Sequence, residues 1–233
     1  MRKLFKRWFA PRPRLTPKQA ARLAAWHALP AQQPGDASQR CVVVDVETTG
    51  LNLMSDTLIS IGAVAMVNGR IALGDSFYVV LQQRVCSRKE NILVHGISGS
   101  VQREGMEPVE AMLAFLEFLG KSPLVAFHVA FDETMIRRAL RQYLGMSLKH
   151  PWLDLAYVMP ALYPALVYSH RVLDDWIKCF NIRIDARHNA LADALATAQL
   201  LQVAQTQARK KNIAGFAALR DLEKAQRWSR GVS

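Results

Sequence analysis

The chain has 233 residues, 51% of them hydrophobic and 21% charged, with a formal net charge of +11; this suits one sizeable domain with extensions and an ordinary packed core. No stretch approaches the eighteen or more apolar residues of a membrane span, and Cys41, Cys86 and Cys179 are odd in number, far apart and without metal-ligand spacing, so a disulfide framework is not indicated and a reducing cytoplasm is expected. The charge is uneven: residues 1–40 hold nine Lys/Arg against one acid, residues 201–233 seven against two, and residues 41–200 fourteen against sixteen, a slightly acidic body whose basic ends suit a polyanion, either nucleic acid or an anionic membrane surface.

Met1-Arg2-Lys3 resembles the start of a signal peptide, but no apolar segment of the required kind follows. In residues 1–9, Leu4, Phe5, Trp8 and Phe9 fall on one side of a helical wheel and Arg2, Lys3, Lys6 and Arg7 on the other, an interfacial amphipathic pattern that Pro11 and Pro13 interrupt. Thr16-Pro17-Lys18-Gln19 reads as a helix start, with Thr16 as cap, Pro17 first and Gln19 three after the cap, and the helix is expected to reach about Ala28. Pro30 to Gln39 reads as a polar linker.

Cys41-Val42-Val43-Val44 is an apolar run that reads as a buried strand. It leads into Asp45 and Glu47, which alternation puts on one face. Two carboxylates so close raise each other's pKa unless a cation lies between them, and a hard divalent metal with oxygen ligands is the simplest such cation. After a turn from Gly50 to Asp56, a strand is predicted over Leu58 to Val67, a hairpin at Asn68-Gly69, and another strand from about Phe77 to Leu81. Met106 to Leu119 has helical periodicity. Pro123 to His128 reads as a strand and Phe131 to Leu144 as a helix with Asp132 at its start.

Asp154 is assigned by default as a helix cap. Helices are predicted around Leu155 to Leu162 and Val172 to Phe180, where Asp174 and Asp175 favour the helix dipole. A long helix follows from Ala190 to about Gln207, and a terminal one over Ile213 to Trp228. Ahead of the long helix, His188 offers a general base for neutral pH and Asp193 a further carboxylate. Asp193 lies five residues after His188, about 140° further round a helix, so the two cannot share one helical face; the Asp then anchors metal while the His reaches a water. Strands followed by alternating strands and helices imply a mixed α/β sheet with helices on its faces. The domain reading is a basic helical N-terminal extension and linker over 1–40, a catalytic domain over 41–208, and a basic C-terminal helix or tail over 209–233.

Taken in order, Asp45-x-Glu47-Thr48-Thr49-Gly50, Phe131-Asp132 and His188-x4-Asp193 resemble the three motifs of the DEDDh (DnaQ-like) exonucleases. These are 3'-to-5' exonucleases of the ribonuclease H-like superfamily, similar to the proofreading subunit of bacterial replicative polymerases. His95-Gly96-Ile97-Ser98 matches a tract common there, and Leu191-Ala192-Asp193-Ala194-Leu195-Ala196-Thr197-Ala198 matches the body of the last motif. The resemblance covers roughly residues 41 to 203. It implies a ribonuclease H-like mixed sheet flanked by helices, and phosphodiester hydrolysis releasing nucleoside monophosphates. Asp45, Glu47, Asp132 and Asp193 are then expected to hold two Mg2+ or Mn2+ ions, since oxygen-only ligation favours such metals, with His188 as base and no small-molecule organic cofactor.

Thr48, Thr49, Gly50, His95 and Phe131 are the expected substrate contacts, although Thr48 serves a simple turn equally well and His95 a turn before Gly96; the resemblance also places a polar residue near the site at Asp154, beside its default role as a cap. The family's middle motif usually carries a His-Asn pair four residues before its Asp. Here Phe127 and His128 stand in those places, so the polar support around Asp132 differs, and His128 reads as a packed residue rather than a ligand. DNA is the preferred substrate, with single-stranded 3' ends of DNA or RNA as partners. RNA trimming, or a non-catalytic module binding nucleic acid or a membrane surface, are the alternatives. A DNA polymerase is a candidate partner, and residues 1–9 are a candidate contact for an anionic membrane.

Overall fold

The computed structural model describes residues 13–31, 40–184 and 187–231; the amphipathic segment 1–9 and most of the linker lie outside them. Helix α1 (Pro17–Ala28) starts with the expected capping box: Gln19 N donates to Thr16 Oγ1 at 3.3 Å and Thr16 N to Gln19 Oε1 at 2.9 Å. Five strands form one mixed sheet in the order β3-β2-β1-β4-β5. Strands β1 (Arg40–Thr48), β2 (Leu58–Val67) and β3 (Arg70–Val80) are an antiparallel meander, while β4 (Leu124–Ala126) and β5 (Trp152–Asp154) run parallel to β1. The β2–β3 hairpin turns at Asn68 and Gly69, both with positive φ, as the Asn-Gly pair favours.

Side-chain alternation along β1 divides the molecule. Val42, Val44 and Val46 face a core built with α4 (Pro108–Leu119) and α5 (Val129–Leu144), which Trp26 of α1 joins. Cys41 and Val43 face the other core, built with α6 (Leu155–Leu162), α7 (Leu173–Cys179), α8 (Ala190–Lys210) and Leu219 of α9 (Gly215–Gly231). Each buried valine of β1 stabilises the fold by roughly 1.5–3 kcal/mol, enough for the strand to tolerate two repelling carboxylates at its far end. Asp45 and Glu47 continue the odd-numbered face and therefore point toward α8.

The sequence reading misses β5 and two short helices, α2 (Lys89–His95) and α3 (Gly99–Glu104), and begins β3 late, near Phe77. Elements of three, six or seven residues carry too little periodicity to register, and β5 exists because it pairs with β4. Both basic ends contribute to the packed body. On α1, Arg22 pairs with Glu110 at 2.5 Å and Glu117 at 2.7 Å, and Trp26 Nε1 donates to Gly120 O at 3.0 Å. On α9, Leu219 is buried in the second core and Arg227 pairs with Asp154 at 2.9 Å. Among the described residues, no helix is long and apolar enough to cross a membrane.

Candidate metal centre and active-site cleft

Because β1, β4 and β5 are parallel, their carboxyl ends share one edge of the sheet, where ligands of α/β folds bind. The first brings Asp45 and Glu47, and β4 leads through Phe127 and His128 into α5, with Asp132 in its first turn. The fourth acid arrives from the opposite direction. Helix α8 begins over the β1–β2 pair, Asn189 capping it by accepting from Ala192 N at 3.1 Å, and Asp193 lies in its first turn. Carboxylate oxygens of Asp45, Glu47 and Asp193 come within 4.8 Å of one another. Asp132 stands outside that trio, but its charge acts on Asp45.

Gly62, absent from the sequence reading, permits this approach. It sits opposite Asp45 in the β1–β2 register, and a Cβ there would overlap the backbone of Ala190 and Leu191. The alanine-rich buried side of α8, with Ala190, Ala194, Ala198 and Ala204, keeps the helix low on the sheet. Gly62→Ala is expected to lift the start of α8 and to cost about 1–3 kcal/mol as an overpacking change. In a chain of this size each kcal/mol lowers Tm by ~2–4 °C. An unaltered Tm and unaltered activity would remove the close-approach argument.

The electrostatics disfavour several negative charges at this point. Burial, then the charges of Asp132, Asp193 and Glu47, raise the Asp45 carboxyl well above its usual range. Burial and the Asp193 charge push Glu47 up to about 7, Arg187 offsetting part of the rise. Burial also raises Asp132. Arg187 is a second residue the sequence reading missed. Its guanidinium pairs with Asp193 and, at 2.5 Å, with Asp174; its one signal is its place directly before His188.

An all-oxygen donor set of crowded, protonation-prone carboxylates fits a hard divalent ion. The folded chain holds the Glu47 proton until about pH 7, whereas the unfolded chain releases it near 4.5. The contribution of Glu47 to the stability of the metal-free protein is therefore fully present below pH 4.5 and is lost as the pH rises toward 7. Thermal scans from pH 5 to 8 should show Tm falling over that window, with a smaller fall in Glu47→Gln and for wild type with Mg2+. A flat profile would contradict the repulsion.

His188 forms the rim of the cleft. It is exposed, with φ of 60°, and its backbone N–H donates to Asp193 Oδ2 at 3.1 Å. It precedes the helix, so the incompatible helical faces do not arise. Phe127, His128 and Leu173 line the same cleft. His128 Nε2 lies 3.2 Å from Arg171 O rather than toward the acids.

The substrate candidates fall into two groups. Thr48, Thr49 and Gly50 form the loop leaving β1: Thr48 Oγ1 donates to Gly50 O at 2.7 Å, Thr49 Oγ1 to Asp56 Oδ1 at 2.9 Å, and Arg138 of α5 donates to Asp56 O at 2.9 Å. Phe131 packs against the first core. His95 is not brought to the cleft. It is 5% exposed, its Nδ1 accepts from Ile97 N at 3.0 Å, and its Nε2 meets Ser87 Oγ at 3.3 Å, so it serves the turn at Gly96.

A family model described as exonuclease, that of RNase T, matches residues 42–201. PolC-type DNA polymerase III of Clostridium perfringens is 34% identical over 161 residues, 69% of this chain and 11% of that protein. Its counterpart from Bacillus subtilis is 32% identical over 173 residues, 74% of this chain and 12% of that protein. The matched segment thus spans about an eighth or less of those relatives. Among solved structures, E. coli Exonuclease I in complex with a dT13 oligonucleotide superposes with a TM-score of 0.64 at 18% identity, covering 74% of this chain and 42% of that one. Exonuclease X in complex with 5' overhanging duplex DNA superposes at 0.62 with 15% identity, covering 78% and 99%. These two share the fold: a ribonuclease H-like mixed sheet flanked by helices.

Proposed function

The chain belongs to the exonuclease family represented by RNase T, and on that premise we propose that it is a metal-dependent 3'-to-5' exonuclease that removes nucleoside monophosphates from DNA 3' ends. The observation that carries the reading is the convergence of Asp45, Glu47 and Asp193 at the carboxyl edge of the sheet, with His188 on the rim. Asp45, Glu47, Asp132 and Asp193 would hold two Mg2+ or Mn2+ ions, which when bound neutralise charge on the attacking and leaving oxygens of the phosphodiester.

The protein's own residues supply the rest. His188 takes the proton of the attacking water. The new bond forms between the water oxygen and phosphorus, the bond from phosphorus to the 3' oxygen breaks, and that oxygen leaves with a proton from solvent. Thr48, Thr49 and Gly50, braced by Asp56, stand beside the acids to receive the terminal nucleotide. DNA is preferred because the PolC-type relatives are DNA polymerases and Exonuclease I was solved with dT13. That kinship suggests a polymerase partner and a cytoplasmic location.

The test is digestion of 5'-labelled and 3'-labelled single-stranded DNA and RNA with Mg2+, Mn2+ or EDTA. A 5' label should yield a descending ladder and a 3' label a mononucleotide at once, both only with metal. Internal cuts, or hydrolysis that survives EDTA, would reject the assignment; faster loss of RNA would move the substrate to RNA.

A further inference from the structure

Asp154, at the carboxyl end of β5, is 2% exposed and its carboxylate accepts from four donors. Oδ1 accepts from the backbone N–H of His128 at 3.0 Å and of Ala156 at 3.0 Å. Oδ2 accepts from the backbone N–H of Val129 at 3.2 Å and from Arg227 Nη2 at 2.9 Å. The capping role expected from sequence is therefore double: Asp154 caps its own helix, α6, and also the start of α5. That second helix has no cap of its own. The residue before it, His128, is left-handed with φ of 65° and makes no side-chain cap bond. A carboxylate at this position also complements the positive end of the helix dipole. Asp132 follows within the same turn.

The other side of Asp154 is closed by α9, which lies beyond the residues 42–201 matched by the family model. Arg227 Nε donates to Glu223 Oε1 at 2.8 Å, and Glu223 Oε2 accepts from Asp154 N at 3.2 Å. The Arg227 guanidinium lies over the ring of Tyr157, 4.0 Å from its centroid. Glu223 is itself buried. A carboxylate as enclosed as Asp154 cannot lose its charged donor cheaply, because an unpaired buried charge is left behind. The backbone amides at the head of α5 would share the consequence.

We propose that Arg227 and Glu223 of α9 are positioning residues for the metal centre: they fix Asp154, Asp154 fixes the first turn of α5, and that turn fixes Asp132. The proposal rests on the reading of Asp45, Glu47, Asp132 and Asp193 as metal ligands. It gives the C-terminal helix a task inside the active site, separate from any use of its positive charge on nucleic acid.

Three variants of the full chain test it. Arg227→Gln removes the guanidinium charge, Arg227→Lys retains a cation, and Lys224→Gln removes an equal charge from the same helix, where Lys224 pairs with the exposed Asp221 at 2.8 Å. Two readouts apply: Mn2+ binding by titration of the EPR signal, and hydrogen exchange of the His128 and Val129 amides in metal-free protein. Arg227→Gln should weaken Mn2+ binding ~10–100-fold, the usual effect of losing a partner that orients a ligand, and should speed exchange at both amides. Arg227→Lys should recover most of both, and Lys224→Gln should match wild type. Mn2+ affinity unchanged in Arg227→Gln, or lowered equally in Lys224→Gln, would overturn the proposal. Wild type that binds no Mn2+ would reject the metal centre itself; the amides would then decide the clamp, with protection retained in Arg227→Gln overturning it and protection lost upholding it.

Discussion

Asp45→Asn is expected to abolish hydrolysis while raising the Tm of the metal-free protein. Both effects come from one charge. On the proposed reading that charge is a metal ligand in the trio it forms with Glu47 and Asp193. Without metal, it is a half-buried carboxyl whose charged form burial and the neighbouring Asp132, Asp193 and Glu47 disfavour, and folding must force these carboxylates together. An amide of nearly the same shape removes the repulsion without leaving a cavity. Each kcal/mol recovered should appear as ~2–4 °C in Tm, and Mg2+ should stabilise the variant less than wild type. Asp193→Asn is the less clean probe, because Asp193 also pairs with Arg187 and accepts from His188 N. Full activity in Asp45→Asn, measured on a short labelled oligonucleotide, would remove the carboxylate centre.

His188→Ala is expected to lower kcat ~10²–10⁴-fold, the scale of general acid-base catalysis, while leaving Mn2+ affinity and Tm close to wild type. The separation follows from geometry. The link of this residue to Asp193 runs through the His188 backbone N–H, which alanine retains, and the exposed imidazole is not among the trio of converging ligands. The positive φ of 60° adds a complication, since alanine tolerates the left-handed region less well than histidine or asparagine. His188→Asn keeps that backbone preference and should lose the same turnover. If metal binding vanished with activity in both variants, His188 would be a ligand and not a base.

Much of this was legible in the chain itself. Cys41 to Val44 announced a strand buried on both faces, and alternation alone put Asp45 and Glu47 on one side of it. Thr16 to Gln19 and Asn68-Gly69 specify their cap and turn through local bonds and backbone preferences that need no distant partner. The order of the three acidic motifs, with His188 before Asp193, identified a family through residues whose chemistry leaves few substitutes.

Other features depend on contacts between residues far apart in sequence, and no periodicity encodes those. Strand β5 is three residues long and is defined by β4 beside it. Gly62 reads as an ordinary strand glycine until the backbone of Ala190 descends upon it. His95, legible as either a turn or a substrate residue, has both ring nitrogens engaged by Ile97 and Ser87, contacts that only the fold supplies. Asp154 was legible as the cap of the helix it precedes. That it also caps α5, and is held there by Arg227 seventy-three residues later, follows from the parallel placement of β4 and β5 and the packing of α9 against β5 and α6. Local sequence determined which groups are proposed to carry the chemistry; the tertiary structure decided which distant groups lie against them, because a buried carboxylate takes its partners from whatever the fold brings within hydrogen-bonding distance.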